Sequence, residues 1–257
     1  MALEEMILNM GQDTVSAFIA EPVSGATLGV YPPPLGYLPL IREICQKYGV
    51  LLIFDEVMTG MGRTGRWFAC QHENVVPDLM TLGKGLSSGA IPLSAVAAKP
   101  EHLEAISQGS GNFVHGGTFS HHVVAAAAAR AVIGILEQEN LVTRAGEMGR
   151  YLGERLKARL GELPYVLDIR GVGLMWGVEL GRNKTGFEPF PRNLKIAERI
   201  REAMFRRGVL VYLSTGFAGK DGDAIVFGPP FIINTEEIDS AVDTLASVLE
   251  EDVMSYT

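Results

Sequence analysis

An aspartate that closes an apolar run and a lysine held between two glycines are the residues of this sequence with the most chemistry to offer. Asp55 follows the run Val50 to Phe54, and Lys84 sits in Gly83-Lys84-Gly85 directly after Leu79 to Leu82. Taken singly, each has an ordinary reading: the acid as a turn or cap residue, the lysine as a solvated cation. Glu21 closes a third apolar run, Val15 to Ala20, and the three together change the reading. A lysine desolvated beside acids becomes an amine able to form an imine with a carbonyl compound.

The elements that must position these residues alternate strand and helix. Val15 to Ala20 reads as a buried strand ending at Glu21-Pro22, because proline donates nothing to a sheet ladder. After a Gly/Pro-rich loop, Leu38, Ile41, Ile44, Cys45 and Tyr48 fall at helical spacing and Gly49 supplies a C-terminal stop. Val50 to Phe54 follows as a second strand, so strand, crossover helix and strand predict a right-handed parallel unit. Open α/β sheets place ligands at the carboxyl ends of their strands, which is where Glu21 and Asp55 lie. Leu79 to Leu82 and Leu93 to Ala98 read as two further strands, Val123 to Leu136 and Leu141 to Leu160 as helices. Beyond Pro164 the pattern becomes a small α+β unit. Its strands are predicted at Val166 to Ile169, Leu174 to Leu180, Val209 to Tyr212 and Ile225 to Phe227, and its helices at Ile196 to Arg207 and Glu236 to Glu250. The fold class is therefore α/β, with domains expected over 1–138 and 139–257.

Composition narrows the function. The 257 residues are 47% hydrophobic and 20% charged, enough to bury a core, and a formal charge of −8 gives no general attraction to nucleic acid or anionic lipid. Cys45 and Cys70 have no Cys or His partner at a zinc spacing, so neither a disulfide framework nor a metal site is expected. The opening MALEEMILNM carries acids in place of a basic leader, and no apolar run approaches the roughly 20 residues of a membrane span. A cytoplasmic protein without membrane or nucleic-acid partners is expected. Gly60-Met61-Gly62-Arg63-Thr64-Gly65 matches the letters of a dinucleotide fingerprint but opens no helix directly after its strand, so it does not read as a nucleotide site.

Read in order, AFIAEPVSGA, LLIFDEVMTGMGRTG, DLMTLGKGLSSG, HGGTFSHHVVAAAAA and GPPFIIN resemble the class III aminotransferases, pyridoxal-phosphate enzymes of fold type I, nearly from end to end of the chain. The resemblance implies part of the large parallel-sheet domain of that fold followed by the small carboxyl-terminal domain. It implies that Lys84 carries the cofactor as an aldimine, that Asp55 pairs with the pyridine nitrogen and that Val57 packs on one ring face. Glu21 would join the cofactor-binding set, and Thr118 would bind the cofactor phosphate, in this family across a dimer. An anionic Asp55 would keep the ring an electron sink, and Lys84 would carry the substrate proton.

Two departures refine the expectation. Val226 and Ala26 stand where members using 2-oxoglutarate often carry an Arg and a second Glu, which points to the branch that moves amino groups from amines or ω-amino acids to pyruvate. Asp221 stands in the place of that branch's loop Arg, with Lys220 beside it as the candidate substrate contact. The phosphate loop and the ring-covering aromatic of the family have no counterpart here. The chain resembles the carboxyl-terminal part of an aminotransferase, and its site is expected to need another polypeptide, in a homo-oligomer or in a hetero-oligomer with a chain supplying the amino-terminal half. A non-catalytic interaction subunit, or another reaction of the same cofactor such as decarboxylation or amino-group migration, is the alternative.

Overall fold

A computed structural model describes residues 2–251, which separate into two compact units. The first holds the residues up to Pro22, Pro33–Met61 and Arg66–Asn140. In chain order it contains α1 (Ala2–Met10), β1 (Ala17–Ala20), α2 (Tyr37–Tyr48), β2 (Leu51–Asp55), β3 (Leu79–Leu82), β4 (Ala95–Ala98), α3 (Pro100–Gln108) and α4 (Val123–Gln138). The sheet order is β1-β2-β3-β4, with the first three strands parallel and β4 antiparallel to β3.

Why this unit folds so is visible along α2. Leu38, Ile41, Ile44 and Cys45 form its buried stripe, and Gly49 ends it in the left-handed region at φ 66°, its N–H bonding back to the Cys45 and Gln46 carbonyls. The stripe packs with Ile7 of α1 against Leu52 and Phe54 of β2, both fully buried. Strand side chains alternate, so Leu51, Ile53 and Asp55 emerge half-buried on the opposite face. Two helices lie beyond the sequence expectations: α1, with Ile7 as its buried residue, and α3, which buries none and starts on Pro100, a favourable first-turn residue.

Asp78, just before β3, pins the far end of this sheet. Its carboxylate accepts the Leu52 N–H at 2.8 Å, Arg42 Nη1 at 2.8 Å and Lys99 Nζ at 2.6 Å. Burial raises its pKa, but the bonds from Lys99, the Leu52 amide and Arg42 together outweigh this and hold it down to about 2. A carboxyl depressed in the folded state stabilises above its unfolded pKa and loses that stability as pH falls through the folded value. Acid unfolding should therefore steepen between about pH 4 and 2, with a contribution on the order of 2 kcal/mol. Urea titrations at pH 6 and pH 3 check this. Asp78→Asn should lower the midpoint at pH 6 and flatten the difference between the two.

The second unit gathers Val23–Pro32, Gly62–Gly65 and the described chain from Leu141. It contains α5 (Leu141–Leu160), β5 (Val166–Val172), β6 (Met175–Asn183), β7 (Glu188–Pro189), α6 (Ile196–Arg206), β8 (Tyr212–Ala218), β9 (Asp221–Phe227) and α7 (Thr235–Glu251). An antiparallel sheet of order β5-β6-β9-β8, with β7 on β6, shares one core with the three helices through Leu152, Leu156, Val178, Ile200, Ile225, Leu245 and their neighbours. The strand expected at Val209 to Tyr212 is displaced: β8 begins at Tyr212 and runs through Ser214, Thr215 and Gly216. Register decides this, because the tight turn at Gly219-Lys220 pairs Ala218 with Asp221 and Tyr212 with Val226. Beyond Phe227, Pro229 and Pro230 have no N–H to offer Val209–Val211 a ladder.

Candidate active site

Three of the residues picked out in the sequence end parallel strands of the first unit. Glu21 follows β1, Asp55 is the last residue of β2, and Lys84 stands two residues beyond β3. Asp55 is half-buried and in register with Thr81, and the strand pairing continues one residue further, where the Glu56 N–H donates to the Thr81 carbonyl at 3.0 Å. One oxygen of Asp55 accepts the Val57 N–H at 3.0 Å, a turn that aims the carboxylate along the strand end and leaves its other oxygen without a hydrogen bond among the described residues.

Two glycines explain how Lys84 comes beside this turn. A Cβ on Gly83 would lie 3.3 Å from Val57 Cγ1, and one on Gly85 would lie 3.1 Å from the Met61 Cβ. A side chain at either place would make the neighbour give by a few tenths of an ångström, so glycine eases the close approach of the lysine segment to residues 57–61. Lys84 itself opens a short 3-10 turn, Lys84–Leu86, at φ 38°, an uncommon conformation for a non-glycine residue, and its side chain is exposed. Among the described residues it has no ion-pair partner.

Glu56, which the sequence reading passed over, holds the loop between them. It is 1% exposed and accepts the hydroxyl of Thr59 and the N–H groups of Ala69 and Cys70, the last two at 2.9 Å. Its carbonyl also receives the Gly60 N–H at 2.9 Å, closing one turn that presents Val57 and Met61 to the lysine segment. Burial and the neighbouring Glu56 charge push the Cys70 thiol up to about 12, so that cysteine is an inert packing residue. The one sequence signal for Glu56 is its place between Asp55 and Val57.

The other expected residues lie elsewhere. Thr118 belongs to the exposed segment 111–120, within a turn closed by Ser120, whose N–H donates to the Gly117 carbonyl and whose Oγ accepts the Gly117 N–H, both at 2.9 Å. Lys220 is exposed at the tip of the β8–β9 hairpin in the second unit. The place expected for a loop Arg, at Asp221, is the first residue of β9, where one carboxylate oxygen accepts the Arg192 N–H at 2.9 Å. Gly62–Gly65 also packs within the second unit, where a Cβ on Gly65 would lie 2.8 Å from Gly146 Cα, so this glycine-rich run serves close backbone packing.

Pyridoxal phosphate needs a carboxylate for its ring nitrogen, an amine for its aldehyde, a surface for its ring and donors for its phosphate. Asp55, Lys84 and Val57 match the first three in chemistry. The buried Thr81 Oγ1, with no hydrogen-bond partner among the described residues, belongs to the residue in register with Asp55. For the phosphate end the sequence offered only Thr118, which lies in an exposed turn, whereas such sites combine several N–H donors.

Comparison with known proteins identifies the family of the chain. Residues 1–249 match the family described as "Aminotransferase class-III". The chain is 42% identical to the diaminobutyrate–2-oxoglutarate transaminase of Halomonas elongata, over 93% of this chain and 50% of that protein. It is 40% identical to the putrescine–pyruvate aminotransferase of Pseudomonas aeruginosa, over 97% of this chain and 52% of that protein. A thermostable (S)-enantioselective omega-transaminase from Thermomicrobium roseum superimposes with a TM-score of 0.90 at 43% identity, covering 97% of this chain and 54% of that one. The chain spans about half the length of the curated relatives it matches. A family match over residues 1–249, with relatives 40% and 42% identical across more than nine tenths of this chain, makes it a member of the class III aminotransferases, a pyridoxal-phosphate-dependent family.

Proposed function

We propose that this chain carries the lysine and the ring-nitrogen carboxylate of an aminotransferase acting on an amine or ω-amino acid. The observation that carries the reading is the pair of glycines that bring Lys84 against the Val57–Met61 turn at the strand end bearing Asp55. Pyridoxal phosphate, when bound, supplies an aldehyde that exchanges amino groups and a ring that accepts electron density. Asp55 holds a proton on the ring nitrogen, and its turn with Val57 keeps the carboxylate oriented. Val57 offers an apolar surface to the ring, and Glu21 lines the same strand ends. Lys84 supplies the amine that tethers the cofactor at rest and, once released, the base that moves the proton at the substrate carbon. The first unit corresponds in this reading to the carboxyl-terminal part of the large cofactor-binding domain, the second to the small domain.

Residues outside these 257, in the same polypeptide or in another, complete the phosphate end in this proposal. Among the described residues β1 pairs only with β2, and Ile19 on β1 and Val96 on β4 are 59% and 64% exposed, surfaces that a covering segment would bury. Phe113, Val114 and Phe119, which flank Thr118, are 70%, 90% and 80% exposed, and a second copy of the protein is the covering partner proposed there. Cys45 and Cys70 are buried free thiols, which supports a reducing, cytoplasmic setting.

Pyruvate is the acceptor favoured by residue chemistry. Val226 is 1% exposed and Ala26 half-buried, so neither position offers a cation to the second carboxylate of 2-oxoglutarate. Lys220, at its hairpin tip, is the proposed contact for a single carboxylate. The similar proteins named above include users of either acceptor, so the argument rests on these two positions. The test is a set of half-reactions started from the aminated cofactor, run with the chain alone and with the missing half supplied. Pyruvate should react at least tenfold faster than 2-oxoglutarate at equal concentration, and only when the missing half is present. Faster reaction of 2-oxoglutarate overturns the acceptor, and full turnover by the chain alone overturns the divided site.

A further inference from the structure

Thr81 is the one hydroxyl-bearing residue of β3, set between Met80 and Leu82. Its Oγ1 is buried and has no hydrogen-bond partner among the described residues. A buried hydroxyl left unpaired costs stability, so its presence in a native strand calls for a reason.

The register narrows what could pair with it. Thr81 stands opposite Asp55 of β2 on one side and opposite Val96 of β4 on the other. Residues in register share a face of the sheet, and so do residues two apart along the chain, here Leu79 and, just past the strand, Gly83. Of these four neighbours only Asp55 carries a side-chain acceptor. The Glu56 N–H, donated to the Thr81 carbonyl at 3.0 Å, ties the two strand ends together beside this pair.

Asp55 has the complementary gap. One of its oxygens accepts the Val57 N–H at 3.0 Å, and the other accepts no hydrogen bond among the described residues. A carboxylate held through one oxygen can still pivot about that bond, and a donor to the second oxygen fixes its plane. One rotation about the threonine Cα–Cβ bond carries the hydroxyl from one staggered position to another.

We propose that Thr81 is a positioning residue for the Asp55 carboxylate: its hydroxyl turns to donate to the oxygen that Val57 leaves free, so that Asp55 is held from both sides when it meets the cofactor ring. All of these residues belong to the first unit. The proposal rests on the aminotransferase reading above and adds a residue to it.

The experiment uses Thr81→Val and Thr81→Ser in the complete protein. Valine keeps the branched shape and loses the hydroxyl, whereas serine keeps the hydroxyl. In Thr81→Val the dissociation constant for pyridoxal phosphate, followed by absorbance, should rise about tenfold, and kcat at saturating cofactor should fall about fivefold with KM for the amine within about twofold. Thr81→Ser should stay within about twofold of the wild type in all three. The urea midpoint of the cofactor-free protein should hold or rise in Thr81→Val, because the variant deletes a buried unpaired hydroxyl. If Thr81→Val does not fold, Thr81→Ala carries the affinity measurement. Unchanged cofactor affinity without the hydroxyl, or failure of serine to restore it, overturns the proposal. A lowered midpoint of the cofactor-free protein makes Thr81 a packing residue and overturns it as well. A wild-type protein that takes up no pyridoxal phosphate fails the aminotransferase reading and this proposal with it, whereas normal uptake by the wild type and by Thr81→Val alike fails the proposal alone.

Discussion

Lys84→Ala is expected to lower transamination by about four powers of ten or more, about 5.5 kcal/mol of barrier, because one side chain is asked to tether the cofactor and to move the substrate proton. The other two candidate lysines differ from Lys84 in their partners. Lys99 is held at 2.6 Å by Asp78, and Lys47 at 2.7 Å by Glu4, whose hydrogen bond raises the Lys47 pKa and keeps it an ammonium ion. Lys84 has no such partner among the described residues and stands exposed on a backbone made approachable by Gly83 and Gly85. Borohydride reduction of the cofactor-loaded protein, followed by peptide mapping, should tag the peptide containing Lys84. A tag on Lys99 or Lys47 would overturn the assignment whatever the activity of the variant.

Asp55→Asn is expected to cost about a thousandfold in kcat, near 4 kcal/mol, with the cofactor partly retained. Asparagine is the informative replacement because its side-chain oxygen can still accept the Val57 N–H, the bond that Asp55 makes at 3.0 Å, so the turn survives while the negative charge is lost. Asp55→Ala removes both and should add a loss of cofactor affinity. Comparing the two variants by turnover and by cofactor absorbance separates the charge from the turn. Near-normal turnover in Asp55→Asn would place the essential acid elsewhere.

The site is unevenly legible in the sequence. Asp55 and Lys84 stand out because each ends a short apolar run, and a parallel sheet brings successive run ends to one side. Glu56 does not stand out, since its role depends on the amides of Ala69 and Cys70, more than ten residues on. Arg63 is visible in the sequence only as a letter of the Gly60–Gly65 string and of the longer LLIFDEVMTGMGRTG run, neither of which shows what it bonds. Its bonds to Leu174 and Pro229 cross more than a hundred residues. Nothing periodic in a sequence announces a donor to a distant carbonyl.

Local patterning alone determined the alternation of strands and helices, the stop at Gly49 and the strand-end placement of Glu21, Asp55 and Lys84. These follow from interactions within a few residues, where helical stripes and strand ends are written directly in residue order. Only the tertiary structure decided that β4 runs antiparallel, that β8 starts at Tyr212, and that residues 23–32 and 62–65 leave the first unit to pack with the second. Register and such excursions are set by which backbone donors find acceptors and by how closely glycines let chains approach. Those are properties of pairs far apart in sequence, and they take definite values only once the core has closed around them.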